Sequence, residues 1–152
     1  MDLKDLYREV ILDHNRSPRL FGRLDPADSS ADGHNPLCGD RLHVTVRLDG
    51  DRVSDLRFEG KGCAISVASA SMMCEAVKGK DRGAIKHLFD EIHGVLTHHD
   101  APLPEDLGKL AALAGVRDFP VRVKCASLAW HTLNAALDRS PLETNAAAVK
   151  TE

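Results

Sequence analysis

The chain has 152 residues, a formal charge of -3, 43% apolar residues and only 4% aromatics. That length suits one domain with one core, built from Leu, Val, Ile and Ala rather than from rings. The acidic balance argues against a nucleic-acid binder, and no run of roughly 18 apolar residues offers a membrane span. The opening Met1-Asp2-Leu3-Lys4-Asp5 lacks the apolar core of a secretory signal, so a cytoplasmic location is expected. There thiols stay reduced, and four cysteines read as ligands or nucleophiles rather than as two disulfides.

In chain order, Asp2 caps a first helix with Leu3, Leu6, Tyr7, Val10, Ile11 and His14 at helical spacing, ending before Ser17-Pro18. A connection rich in Pro, Gly and Asp runs from Pro18 to Asp40, long enough to wrap a sheet and deliver the loop around Cys38. Leu42 to Leu48 alternates as a strand. Asp49-Gly50 signals a two-residue hairpin with positive φ at both positions, and the return strand, from about Asp51 to Glu59, buries Leu56 and Phe58. A third short strand is expected up to Gly62. Helices follow over Ala64 to Lys78, closed by Gly79; over about Gly83 to Thr97; from Pro104 to a stop at Gly115; and over about Arg122 to Asp138. Residues 1–139 form a single domain, and the polar, alanine-rich stretch 140–152 is expected to be disordered. Early strands and late helices give an α+β class, a small three-stranded antiparallel sheet packed against four to five helices.

The chemistry gathers at Asn35-Pro36-Leu37-Cys38-Gly39-Asp40, where a thiol and a carboxylate stand two apart around a glycine. Cys63 and Cys125 sit at the expected entrances of two helices, where the dipole and free N–H groups favour thiolate. Three sulfurs and one oxygen match a closed tetrahedral site, with zinc the default metal and an iron–sulfur cluster its competitor. A cysteine taken alone is more often a small buried hydrophobe. Cys74 is given that role, because eleven residues on from Cys63 it lies about 16 Å along the helix. Arg122 and Lys124 flank Cys125 and could offset the charge of three thiolates and a carboxylate, which with zinc sum to about -2. His34 adjoins the site in sequence, whereas His98-His99-Asp100 reads as a solvated loop and His131 as packing or surface.

Together these stretches resemble the NifU/IscU-like iron–sulfur assembly proteins. The resemblance is carried by Asn-Pro-x-Cys-Gly-Asp at 35–40, Gly-Lys-Gly-Cys-Ala-Ile-Ser at 60–66, Ala-Ser-Met-Met at 70–73, Val-Lys-Gly-Lys at 77–80 and Phe-Pro-Val-Arg-Val-Lys-Cys-Ala-Ser-Leu-Ala-Trp at 119–130. It spans about Asp2 to Leu137. Lys124 before the last site cysteine, where ISC scaffolds carry histidine, and the long segment between Cys63 and Cys125 are similar to the SUF branch, SufU. Phe-Pro-Val-Arg also departs from the chaperone-binding motif of the ISC scaffolds.

The resemblance implies zinc held by Cys38, Asp40, Cys63 and Cys125, and a SufS-like, PLP-dependent cysteine desulfurase as partner. Cys38 is then the acceptor of persulfide sulfur, released from the metal when a desulfurase histidine takes its place, and the sulfur passes to downstream SUF cluster-assembly proteins. On this basis the chain is expected to be a zinc-dependent sulfurtransferase. The alternative is a scaffold that builds a [2Fe-2S] cluster on the same ligands.

Overall fold

A computed structural model describes residues 3–98, 103–138 and 149–150. In order, the elements are α1 (Leu3–Arg16), β1 (Ser29–Asn35), β2 (Asp40–Asp49), β3 (Arg52–Lys61), α2 (Ala64–Val77), α3 (Arg82–Thr97), a 3₁₀ segment (Glu105–Val116), α4 (Pro120–Asp138) and β4 (Val149–Lys150). The α+β expectation holds: three antiparallel strands carry the fold, and the helices cover one face. The spatial order is β3-β2-β1-β4, with β4 a two-residue parallel addition beside Gly33 and His34. Of the tail expected to be disordered, only Val149–Lys150 are described; residues 140–148, 151 and 152 lie outside the described residues, as do His99 and Asp100.

The third strand differs from the expected one. It is not a separate piece ending at Gly62, since β3 runs unbroken to Lys61, but β1, inside the stretch read as a connection. Ser-Ser-Ala-Asp-Gly-His-Asn has no β-branched or aromatic residue, so local preference is silent. Pairing with β2 from Ser29↔Val46 to Asn35↔Asp40 decides the conformation instead. The rest of the connection does wrap the sheet. Gly22 N–H donates to the Phe58 carbonyl at the β3 edge, Leu24 N–H to Thr45 Oγ1 on β2, and Asp28 N–H to the Val46 carbonyl on β2, just ahead of β1.

The hairpin turn is also displaced by one residue. Asp49 pairs with Arg52, which leaves Gly50-Asp51 as the loop, and positive φ falls on Gly50 alone (62°). A bulge at Arg47/Leu48 then shifts the register, so Val53 joins Leu56 and Phe58 on the buried face. With Leu42, Val44 and Val46 these side chains form the sheet's half of the core, each worth roughly 1.5–3 kcal/mol on burial.

α2 is buried almost all round because Ala68, Ser69, Ala70 and Ser71 let α1, α4 and β3 approach it. Of its buried hydroxyls, Ser69 Oγ donates to the Ala126 carbonyl (2.6 Å) and accepts from Trp130 Nε1 (3.1 Å), and Ser71 Oγ meets His14 Nδ1 (2.7 Å), while Ser66 Oγ has no partner among the described residues. The segment after Pro104 is 3₁₀ rather than α, broken at Gly108 (φ 57°, ψ -129°). It runs past Gly115 to Val116, and Gly115 makes room for Tyr7, whose Cδ1 would lie 2.5 Å from an added Cβ. No helix among the described residues is long and apolar enough to cross a membrane.

Candidate metal centre

β1 ends and β2 begins at a loop that presents Cys38. Leu37 N–H donates to Asn35 Oδ1 (3.2 Å) and Gly39 N–H to the Asn35 carbonyl (2.8 Å), while Gly39 takes φ 72°, a conformation a side chain would strain. This turn leaves Cys38 exposed and sends the Asp40 carboxylate into the protein, where it is fully buried. Asp40 is held by Cys63 N–H on Oδ1 (2.8 Å) and by Asn35 Nδ2 on Oδ2 (3.3 Å).

The ligating atoms of Cys38, Asp40 and Cys125 all lie within 4.8 Å of one another, with the sulfurs of Cys38 and Cys125 3.3 Å apart. Cys63 stands just outside that mutual set, its sulfur 4.0 Å from Asp40 Oδ2. Sulfur-to-metal distances of about 2.3 Å put tetrahedral edges near 3.8 Å, so both separations lie within about half an ångström of a zinc site. The surrounding N–H groups agree: Asn35 Nδ2 points at Asp40 and at Cys125 Sγ (3.5 Å), and Ser66 N–H at Cys63 Sγ (3.4 Å). Donors aimed at sulfur and carboxylate suit an anionic set, and a bound cation is what makes such a set stable when buried. The residues present therefore fit a thiophilic divalent metal.

Two expectations about the cysteines need correcting. Cys63 does cap α2, but Cys125 is not at a helix entrance: α4 begins at Pro120, and Cys125 is buried in its second turn. Burial pushes the Cys125 thiol well above its ordinary range, and the neighbouring Cys38, Asp40 and Cys63 push the same way. A metal, rather than a helix dipole, is what would ionise it. Cys74 is fully buried and its thiol is likewise pushed up by burial, as its packing role requires.

Neither Arg122 nor Lys124 forms an ion pair with the cluster among the described residues. Arg122 stacks on Phe119, its guanidinium carbon 4.5 Å from the ring centroid, and bonds to Tyr7, whose hydroxyl also feels Cys63. His34 alternates with Asn35 on β1 and belongs to the sheet's opposite face, while His98 ends α3 and His131 packs edge-on against Phe89. Two supporting residues escaped the sequence reading. Asn35 bridges two of the candidate ligands, Asp40 and Cys125, with only its place in the Asn-Pro turn as a signal. Gly62 is needed for space, since an added Cβ would lie 2.7 Å from Asp40 Oδ1.

Comparison with known proteins agrees with this geometry. Residues 6–126 match the family NifU-like N terminal domain. The chain is 46% identical over 132 residues to the zinc-dependent sulfurtransferase SufU of Bacillus subtilis (strain 168), covering 87% of this chain and 89% of that one. It is 41% identical over 138 residues to the iron-sulfur cluster assembly scaffold protein IscU of Streptococcus pyogenes serotype M1, covering 91% and 86%. A structure described as an iron–sulfur cluster assembly scaffold for the SUF system, from Fervidobacterium islandicum AW-1, superposes with a TM-score of 0.80 at 32% identity, covering 88% of this chain and 97% of that one. With its site loop, strands β1 to β3 and all four candidate ligand residues inside the matched region, the chain belongs to the NifU-like N-terminal domain family.

Proposed function

We propose that this protein is a zinc-dependent sulfur acceptor of iron–sulfur cluster assembly, taking persulfide sulfur from a PLP-dependent cysteine desulfurase. The observation that carries the reading is the contrast inside one cluster: Cys38 is exposed on a glycine-flanked loop, while its neighbours Asp40 and Cys125 are buried and fixed. Support comes from the B. subtilis relative named a zinc-dependent sulfurtransferase. Cys38, Asp40, Cys63 and Cys125 would hold the zinc, which when bound keeps their sulfurs deprotonated at neutral pH.

In the transfer, the Cys38 thiolate attacks the outer sulfur of the donor's persulfide. A sulfur–sulfur bond forms on Cys38, the donor's sulfur–sulfur bond breaks, and the donor cysteine leaves as thiolate, so no external oxidant is needed. Asp40 and Cys63 stay anchored through the Cys63 N–H bond, and Asn35 holds Asp40 and Cys125 in register while the loop moves. The acceptor sulfur then continues to downstream cluster-assembly proteins.

Mixing the protein with desulfurase and cysteine should add about 32 Da per sulfur at Cys38 by mass spectrometry. Cys38→Ala should abolish that adduct and the stimulation of desulfurase turnover; full stimulation by the variant would overturn the reading. The scaffold alternative is favoured by the relatives named IscU and by a donor set that also suits iron. Aerobically purified protein with about one zinc and no acid-labile sulfide would count against a resident cluster.

A further inference from the structure

The open face of the sheet carries an unusual row at the end nearest Cys38. His34 on β1 is directly opposite Arg41 on β2, and Arg41 is directly opposite Lys61 on β3. Directly opposed residues share a face with Cβ atoms about 5 Å apart, and like charges there destabilise a sheet. Among the described residues none of the three has a carboxylate partner. The nearby acids are already engaged, Asp32 by His43 Nδ1 (2.7 Å) and Glu59 by Arg23 (2.6 Å). The chain as a whole is acidic, so this row is a local exception and not part of a basic surplus. It lines a groove of about 580 Å³ walled by the half-exposed Phe21 (53%), and Leu37 (60%), beside Cys38 in the chain, is a second exposed apolar side chain.

We propose that this row is the electrostatic docking footprint for an acidic surface of the persulfide-bearing partner, seated on the open sheet face; the inference rests on the sulfur-acceptor reading above. A protein surface fits better than a small anion for two reasons. Arg41, Lys61 and the imidazole of His34 are spread over three strands, about 10 Å, instead of converging on one point. The strand N–H groups beside them lie in the plane of the sheet rather than pointing out from its face, so they do not form a cradle for a phosphate. Position supplies the function. Arg41 is three residues from Cys38, within about 11 Å along the chain, so a partner seated here has its edge at the acceptor thiol. Exposed apolar side chains beside a charged row are the composition of a steered, transient interface.

The test uses full-length protein as the acceptor in steady-state desulfurase turnover. Arg41→Glu/Lys61→Glu, both at exposed positions, should raise the KM for the acceptor at least tenfold at low salt while kcat at saturation is kept. The rise of wild-type KM with salt should flatten in the variant. An unchanged KM and salt dependence would overturn the footprint, and so would a row that binds inorganic phosphate, seen as shifts of the His34 ring resonances, without any KM change. Loss of the Cys38 adduct at saturating partner would instead strike the sulfur-acceptor reading, so the two failures are separable.

Discussion

Gly62→Ala probes the site without replacing any candidate ligand. The added Cβ would sit 2.7 Å from Asp40 Oδ1 and 3.2 Å from Asp40 Cβ and Cγ, where ordinary contact begins at 3.4 Å, so the carboxylate must retreat by about 0.7 Å. Gly62 does not have positive φ, so the backbone accepts alanine. Asp40 is short and buried and has little room to turn aside. Metal ligands tolerate shifts of about 0.2 Å, so the retreat takes the oxygen out of bonding range. Zinc affinity should fall by roughly 10–100-fold, as for lost support around a ligand, or about 1.4–2.7 kcal/mol. Strain on the Cys63 N–H bond should lower metal-free stability by about 1 kcal/mol. Competition against a chromophoric chelator reads the first quantity and denaturant unfolding of the metal-free protein the second. Wild-type zinc affinity in the variant would refute the placement of Asp40 among the ligands.

Asn35→Ala removes the amide that donates to Asp40 and Cys125 and should weaken zinc by roughly 10–100-fold in the same competition assay. Cys74→Ala should leave about one zinc per chain and full sulfur acceptance, because its thiol lies in the core away from the cluster. Phe58→Ala, at a fully buried ring in edge contact with Phe21, should cost about 3–5 kcal/mol in denaturant unfolding. Burial holds His14 neutral to lower pH than an unfolded histidine, with the neighbouring Arg19 charge adding to the effect. The unfolded chain therefore takes up the extra proton first, and stability falls as pH drops below about 6.5, by at most about 1.4 kcal/mol per pH unit. The difference in unfolding free energy between wild type and His14→Asn should shrink on acidification; a constant difference would contradict the assignment.

The candidate ligands stand out in the sequence because metal chemistry restricts residue type: cysteines in a glycine loop and before a small-residue helix have few other uses. Helices α1, α2 and α3 were readable within a residue or two, since apolar spacing and a stop such as Gly79 write themselves locally, although Asp81, which caps α3, was not singled out. β1 was not, because Ser29–Asn35 is a strand only by virtue of β2 beside it. The same limit hid the environment of Cys125. Its distance from the start of α4 depended on whether the helix began at Pro120 or Arg122, and a two-residue difference moves it from a helix entrance into the core. Asn35 and Gly62 act through contacts with residues up to 90 positions away in the chain, information that no local pattern carries.

Zinc X-ray absorption on the loaded protein, wild type beside Cys38→Ala, bears on the cluster most directly. Wild type should show about three sulfurs near 2.3 Å and one light ligand, and the variant about two sulfurs. An identical sulfur count in both proteins, or a shell of oxygen and nitrogen alone, would contradict a centre in which the exposed sulfur of Cys38 is a ligand.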